Sequence, residues 1–297
     1  MEEAQETLAA FTRYAHRSVD VASIVERAVD AAVQVLDVSL GALIRVVGRR
    51  PARLVVVQAS AGLDVEVGEP YEVDPTLAVL LRGTDPLVVA DPSADPRFAG
   101  VPLPGLQSPS ALLAAAVSVD GYAWGRLLLA DRRPRDFAPD DVALLARIAH
   151  LTGAAIERNR WQRARTTAAL LSAHPPHVGQ AAVEVALLDR SGVIVWVNER
   201  WMHFARENGG DPARTGVGMS YLECCDAAAD PVADDVADAV RLAVRGDLPA
   251  PMRMRMPCHG PGTHRWFDVL VSSRLDDDGE CLGATVTFSP AEPGSVD

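Results

Sequence analysis

Residues 111–161 read ALLAAAVSVDGYAWGRLLLADRRPRDFAPDDVALLARIAHLTGAAIERNRW, and this stretch decides the fold of the first half of the chain. The apolar runs on either side of Asp120-Gly121 predict two strands, because this dipeptide is typical of a tight hairpin turn. Pro139 and the acidic residues after it favour the start of a helix. The stretch therefore predicts a β-hairpin followed by a long helix that ends near Leu171.

The residues before this stretch predict a mixed α/β unit. Three- and four-residue apolar spacing predicts the helices, and branched apolar runs predict the strands. The loop after Asp91 is dense in Pro, Gly and Ser. The predicted elements are helices at 4–15, 21–36 and 77–81, strands at 40–47, 54–59 and 87–90, and the loop at 91–110.

This order of elements, with residues 110–161 as its ending, resembles a GAF domain. In that family a hairpin is followed by a Phe and a pair of acids that start a helix with an Ala-Ile-Glu-Asn-like run. The resemblance implies a small-ligand-binding or dimerisation domain. It also implies a bacterial sensor protein, with actinobacterial haem-containing GAF domains as the look-alike.

The same resemblance bears on the choice of cofactor. In the haem GAF domains a His-Pro-Pro stretch precedes the strand that corresponds to 111–119, whereas this chain has Ser108-Pro109-Ser110 there. The expected axial ligand is thus replaced, and we expect no cofactor, with haem or flavin as the alternative. His150 on the long helix is the remaining candidate cofactor-binding residue, beside His16 on the first helix.

The second half predicts two strands, a helical middle and three strands. Three stretches, LLDRSGVIVWVNERW at 187–201, GMSYLECC at 218–225 and MPCHGPGTHRWFDVLVS at 256–272, are similar to a PAS subgroup of bacterial sensor proteins. The resemblance implies a second sensor domain. The predicted fold class is therefore α+β, with two sensor domains that each have a central antiparallel sheet and are joined by a long helix.

The cysteines and histidines of the second half raise a metal- or thiol-based alternative. The candidates are Cys224, Cys225, Cys258 and His259. Their spacing fits no standard zinc pattern, and no C-x-x-C pair occurs. We therefore expect no metal site, and we expect buried apolar thiols rather than a redox sensor.

The predicted boundaries follow from these patterns. We expect a GAF-like domain at 1–165, a helical and Pro-containing linker at 166–181, a PAS-like domain at 182–290 and a flexible tail at 291–297. Loose three- and four-residue spacing at the end of the long helix predicts a seam for dimerisation and signalling. Its residues are Trp161, Ala164, Ala168 and Leu171.

Composition narrows the class of function. The net charge of −12 argues against a nucleic-acid partner, because phosphate binding needs clustered Lys and Arg. No apolar run reaches the roughly 20 residues of a membrane span, and the first residues carry no secretory pattern, so we expect a cytoplasmic protein. No catalytic constellation or output domain stands out. We therefore expect a non-enzymatic homodimer that signals to another chain.

Overall fold

The computed structural model describes residues 2–18, 20–47, 52–98, 111–173, 183–207, 215–228, 230–257, 265–276 and 280–291. Contacts divide the chain into two units, Met1–Asn159 and Arg160–Asp297. The division falls within the long helix, so that the end of this helix, from Arg160 onward, belongs to the second unit.

The described residues form helices and strands with the following bounds. The first unit contains α1 Glu2–Arg17, α2 Val21–Leu36, β1 Leu40–Val47, β2 Arg53–Ala59, β3 Pro70–Glu72, α3 Pro75–Arg82, β4 Leu87–Val89, β5 Ala111–Val119 and β6 Tyr122–Asp131, and α4 Pro139–Ala173 begins in it. The second unit contains β7 Glu184–Leu188, β8 Ile194–Val197, α5 Glu199–Glu207, α6 Tyr221–Ala227, α7 Pro231–Ala243, β9 Met252–Pro257, β10 Trp266–Leu275 and β11 Cys281–Ala291.

The sheet of the first unit is antiparallel and has the order β3-β2-β1-β6-β5-β4. Both of its faces are covered, which is why β5 and β6 are apolar along most of their length. Alternate residues such as Leu113 and Leu127 pack with α1, α2 and α4. Their neighbours Leu112 and Leu128 pack with α3 and Phe98 on the opposite face.

Helix α4 lies directly on the backbone of β5. A Cβ atom added to Gly153 would stand 2.1 Å from the carbonyl oxygen of Ser118, so this helix position accepts no side chain without moving the strand. The start of the helix is fixed by Asp141, whose carboxylate accepts a hydrogen bond from the Ala138 N–H at 3.0 Å. The face of the helix towards the sheet buries Leu145, Ile148, Thr152 and Ile156.

The sheet of the second unit is antiparallel and has the order β8-β7-β11-β10-β9. Residues paired directly across an antiparallel sheet project from the same face. Phe288 is paired with Val269 on β10 and with Glu184 on β7, so these three share one face. We call it the inner face, because it carries the buried core residues that α5 and α7 cover.

Asn198 joins α5 to β7. Its side-chain oxygen accepts hydrogen bonds from the backbone N–H groups of Val185 at 3.1 Å and Trp201 at 3.0 Å. Its side-chain amide donates to the carbonyl of Val183 at 2.8 Å. Asn198 is 3% exposed, so this polar side chain is buried with its hydrogen-bonding groups satisfied. It caps α5 and holds the helix against the sheet.

The predicted fold class is confirmed: the described residues form an α+β structure with two antiparallel sheets and seven helices. Strand β3 was not predicted. This strand has only three residues, starts with Pro70 and lies at the edge of the sheet, where Pro is tolerated. Among the described helices, none is both long and apolar enough to cross a membrane.

Candidate functional site

The first unit contains a cavity on the α3 side of its sheet. Its lining residues are all Leu, Ile, Val, Ala, Phe or Gly, and its volume is about 20 Å³. This is room for a single water molecule, yet the walls offer no polar side chain to hold one. The residues that define its walls include Leu40, Ile44, Leu81, Phe98, Leu112 and Leu128.

Arg126 fixes one wall of this cavity. It is 3% exposed, and it donates hydrogen bonds to the carbonyls of Leu81, Gly83 and Asp85 at 3.1, 2.6 and 2.9 Å. These carbonyls lie at and just after the end of α3, where a cation complements the helix dipole. Burial lowers the pKa of Arg126 from its ordinary value, and the nearby Asp85 opposes that shift. Sequence reasoning missed this residue, although an Arg inside the apolar run WGRLLLA was a visible signal.

The second unit contains a larger cleft at one end of the inner face. Its volume is about 350 Å³, and it is bounded by the start of β7, the end of α5, the start of β10 and the end of β11. Polar and apolar walls are mixed, unlike those of the first cavity. The residues that give the cleft its chemistry are Glu184, Glu207, Arg265, Phe204, Trp266 and Phe267.

Two carboxylates and one guanidinium line the cleft. One carboxylate oxygen of Glu184, Oε2, is buried and has no hydrogen-bond donor among the described residues. Glu207 is half-exposed and lies 3.2 Å from Nε2 of His203 on the same helix. Arg265 has interactions of its own within the chain. The cleft can therefore offer hydrogen-bond acceptors and negative charge beside flat apolar walls.

An aromatic cluster continues from the cleft into the core of the unit. The ring of Phe204 lies 5.0 Å from that of Phe267 and 6.1 Å from that of Phe288, measured between centroids. Phe288 lies 5.3 Å from Trp201, and Trp201 lies 6.3 Å from Tyr221 on α6. Edge-to-face and offset contacts of this kind stabilise aromatic pairs. The cluster joins the cleft to α6 through continuous side-chain contacts.

The end of α4 contacts α6 and the turn before it. The two terminal guanidinium nitrogens of Arg160 donate to the carboxylate of Glu223, at 2.9 and 2.7 Å, and the two side chains are 14% and 7% exposed. In the turn before α6, a Cβ atom on Gly218 would lie 2.3 Å from the Trp161 ring. Neither contact was predicted, because its partners are more than 50 residues apart.

The structure describes three of the predicted cofactor and metal residues, His150, Cys224 and Cys225. His150 is exposed on α4. Cys224 is half-buried and Cys225 buried, both as free thiols, and burial raises the pKa of Cys225 to about 12. Within the described part of the chain, no group of three or more metal-binding side chains occurs. Cys258, His259 and Ser108-Pro109-Ser110 lie outside the described residues.

The structure describes the side chains of two of the four residues in the predicted dimerisation seam. Trp161 is half-buried against Gly218, and Ala164 is 1% exposed. The side chains of Ala168 and Leu171 lie outside the described residues. Trp161 thus has a contact within the second unit and Ala164 is buried, and the role of the four residues in dimerisation stays a prediction.

One relative of known sequence matches part of the chain. The "uncharacterized 104.1 kDa protein in hypE 3'region" of Rhodobacter capsulatus is 40% identical over 111 residues, which is 36% of this chain. The chain spans about a tenth of that relative's length, since the match covers 11% of it.

Two solved structures illustrate the likeness of the first unit. The GAF domain of a phosphoenolpyruvate-protein phosphotransferase from Coxiella burnetii is 16% identical, with a TM-score of 0.46 over 54% of this chain and 96% of that domain. The blue-light-absorbing PixJ GAF domain of Thermosynechococcus elongatus is 19% identical, with a TM-score of 0.42 over 55% and 98%.

The family comparisons separate the chain into two known domain types. Residues 20–156 match the GAF domain family, and residues 178–291 match a family described as a PAS fold. The first range contains the apolar cavity and Arg126, and the second contains the cleft and α6. The chain therefore carries a GAF domain followed by a PAS domain.

Proposed function

We propose that this protein is a non-catalytic, cytoplasmic sensor in which the PAS domain binds a small ligand and the GAF domain serves as a scaffold. GAF and PAS domains are sensory, ligand-binding modules. The observation that carries the proposal is the difference between the two cavities, about 350 Å³ with polar walls against about 20 Å³ with apolar walls.

The volumes of the two cavities favour the PAS domain as the one that binds a ligand. Small-molecule sites are usually clefts of about 300–1,000 Å³ with a few placed polar groups among apolar walls. The cleft of the PAS domain meets both conditions. The GAF cavity would have to expand many-fold, at the cost of contacts between buried leucines such as Leu112.

A route for the signal runs through the aromatic cluster. A ligand beside Phe204 would contact a side chain that is linked through Phe288 and Trp201 to Tyr221 on α6. Two residues along α6 stands Glu223, which holds Arg160 of α4. A shift of α6 on ligand binding would therefore act on the end of α4. We propose that the conformational signal leaves the domain by this helix.

We further propose that the protein works as a homodimer and signals to a protein in another chain. Dimerisation through the end of α4 would use Ala168 and Leu171 more than Trp161 and Ala164, because Trp161 packs against Gly218 and Ala164 is buried. Size-exclusion chromatography with light scattering measures this, and a strictly monomeric protein at high concentration would refute the dimer.

Two alternative functions, a haem or flavin sensor and a thiol-based sensor, can be distinguished from this proposal by simple measurements. A haem or flavin sensor would absorb at roughly 350–450 nm when freshly purified. A thiol-based sensor needs a reactive thiolate. The pKa of about 12 for Cys225 keeps this thiol protonated at neutral pH, which weakens that alternative.

A binding experiment with a blocked cleft tests the proposed site. A fragment library of mixed charge is screened by ligand-observed NMR against the full chain, the A291F variant and the A123F variant. Ala291 lines the cleft, whereas Ala123 is exposed on β6 of the GAF domain. We expect fragments that bind the wild type and A123F but lose binding to A291F. Fragment binding that survives A291F throughout would refute the cleft as the ligand site.

A further inference from the structure

The position of Glu184 bears on the class of ligand that the cleft accepts, and the inference drawn from it rests on the proposed function, since it concerns the same site. Glu184 lies on the inner face, paired with Phe288 across the sheet, and it lines the cleft. Its Oε2 atom is buried without a hydrogen-bond donor in the described part of the chain. Such an atom loses its bonds to water and gains nothing in exchange.

Two other charged side chains, Glu207 and Arg265, line the cleft. Glu207 has His203 beside it, and Arg265 has interactions elsewhere in the chain. Two carboxylates facing one guanidinium also leave the lining with an excess of negative charge. Once the Glu184 carboxylate turns its buried oxygen towards the cleft, a ligand N–H group, above all a cationic one, would supply the missing donor, because charge-assisted hydrogen bonds to a carboxylate are the strong ones.

The aromatic residues of the cleft favour a particular shape of ligand. Phe204, Phe267 and Trp266 also line the cleft. Aromatic rings pack against flat apolar groups and also attract cations placed over their faces. A volume of about 350 Å³ admits a molecule with one or two rings.

We infer that the cleft of the PAS domain binds a small organic cation with a flat aromatic or heteroaromatic body, such as an aryl amine or amidine, and that Glu184 is its anchor. The carboxylate accepts hydrogen bonds from the cationic nitrogen while the rings hold the planar part. Glu207 adds to the negative potential at the rim of the cleft.

Three probes of one shape and different charge test this class. Benzamidine is cationic, benzamide neutral and benzoate anionic, and each is titrated into the full chain by calorimetry at low salt. We expect benzamidine to bind at least about tenfold more tightly than either of the others. Equal or tighter binding of benzamide or benzoate would overturn the inference, and this comparison needs no altered protein.

Two variants then assign the preference to one residue. E184Q keeps the shape and removes the charge, and we expect it to weaken benzamidine binding by about tenfold. E66Q changes an exposed carboxylate in the GAF domain and should leave the affinity unchanged. Unchanged affinity in a folded E184Q protein would overturn the role of Glu184.

The outcomes also separate this inference from the function on which it rests. Binding of benzamide or benzoate that is lost in A291F, with no preference for benzamidine, would overturn the cationic class and leave the ligand site in place. Failure of all three probes would overturn the inference as well, and a negative fragment screen beside it would overturn the proposed site.

Discussion

Arg160 at the end of α4 and Glu223 on α6 form a two-point ion pair, in which Nη1 of Arg160 donates to Oε2 of Glu223 at 2.9 Å and Nη2 donates to Oε1 at 2.7 Å. This geometry is among the strongest that side chains form, because two parallel bonds also fix the orientation. With the two side chains only 14% and 7% exposed, solvent screens the pair weakly. The pair therefore makes the end of α4 an integral part of the PAS domain.

Loss of Arg160 should destabilise the PAS domain. In R160A the carboxylate of Glu223 stays buried without its cation, and breaking a buried pair in this way costs about 2–4 kcal/mol. Urea denaturation measures the loss. R165A serves as the control, because Arg165 is exposed on the same helix, and its effect should stay within about 0.5 kcal/mol. Equal effects of the two variants would contradict a role for the ion pair.

Gly218 should tolerate no side chain. Its φ of +98° disfavours other residues, and an added Cβ would collide with the Trp161 ring at 2.3 Å. Gly68 has a similar φ of +90°, but an added Cβ there would have nothing within 4 Å. The G68A variant therefore measures the cost of the backbone conformation without a steric clash. We expect about 1 kcal/mol of destabilisation for G68A and roughly 2–4 kcal/mol for G218A in thermal or urea unfolding. A G218A effect no larger than that of G68A would show that Trp161 does not occupy this position.

The stability of the PAS domain should fall at high pH because of Cys225. Burial, with smaller contributions from Cys224 and Asp226, raises the pKa of this thiol from 9.0 to about 12. Above pH 9 the unfolded chain loses this proton while the folded chain keeps it, so alkaline pH favours unfolding. The contribution is complete below pH 9 and is lost as the pH rises towards 12, by roughly 1 kcal/mol per pH unit at most.

The C225A variant checks that assignment. Its free energy of unfolding, measured between pH 8 and 10.5, should depend less steeply on pH than that of the wild type. C281A is the control, since Cys281 is only half-buried. Parallel pH profiles for C225A and the wild type would contradict the shifted pKa.

Arg126 should hold the end of α3 in the GAF domain. In R126M the three carbonyls of Leu81, Gly83 and Asp85 lose their donor, and we expect a loss of about 2–4 kcal/mol. Amide hydrogen exchange should also quicken over 75–87. R53A, which changes an exposed arginine on β2, is the control. Unchanged exchange over 75–87 in R126M would refute the anchoring role.

Local patterns in the sequence predicted most of the helices and strands, and the resemblance of quoted stretches to known families indicated the two domain types. The hairpin around Asp120-Gly121 and the helix from Pro139 follow from turn chemistry and from the acids that start a helix. Strand β3 has only three residues, too few to show an alternating apolar pattern. What the sequence could not supply was the pairing of distant side chains.

The cleft illustrates that limit in physical terms. Glu184 and Phe204 share it with Arg265 because strand register and the packing of α5 bring together three distant parts of the chain. Cys225 was expected to be a buried thiol, and it is one because α6 turns that position inward. Burial of this kind depends on the whole domain, whereas the sequence shows only a neighbouring pair of cysteines.

The central claim is that the PAS domain binds the ligand and that the end of α4 responds. Amide hydrogen exchange of the full chain, with and without saturating benzamidine or the tightest fragment from the screen, tests it most directly. We predict slower exchange around the cleft at 184–188 and 266–268, together with changed exchange over α6 at 221–227 and over 160–166. Protection confined to the lining of the GAF cavity at 40–44, 81–87 and 112–114 would contradict the account.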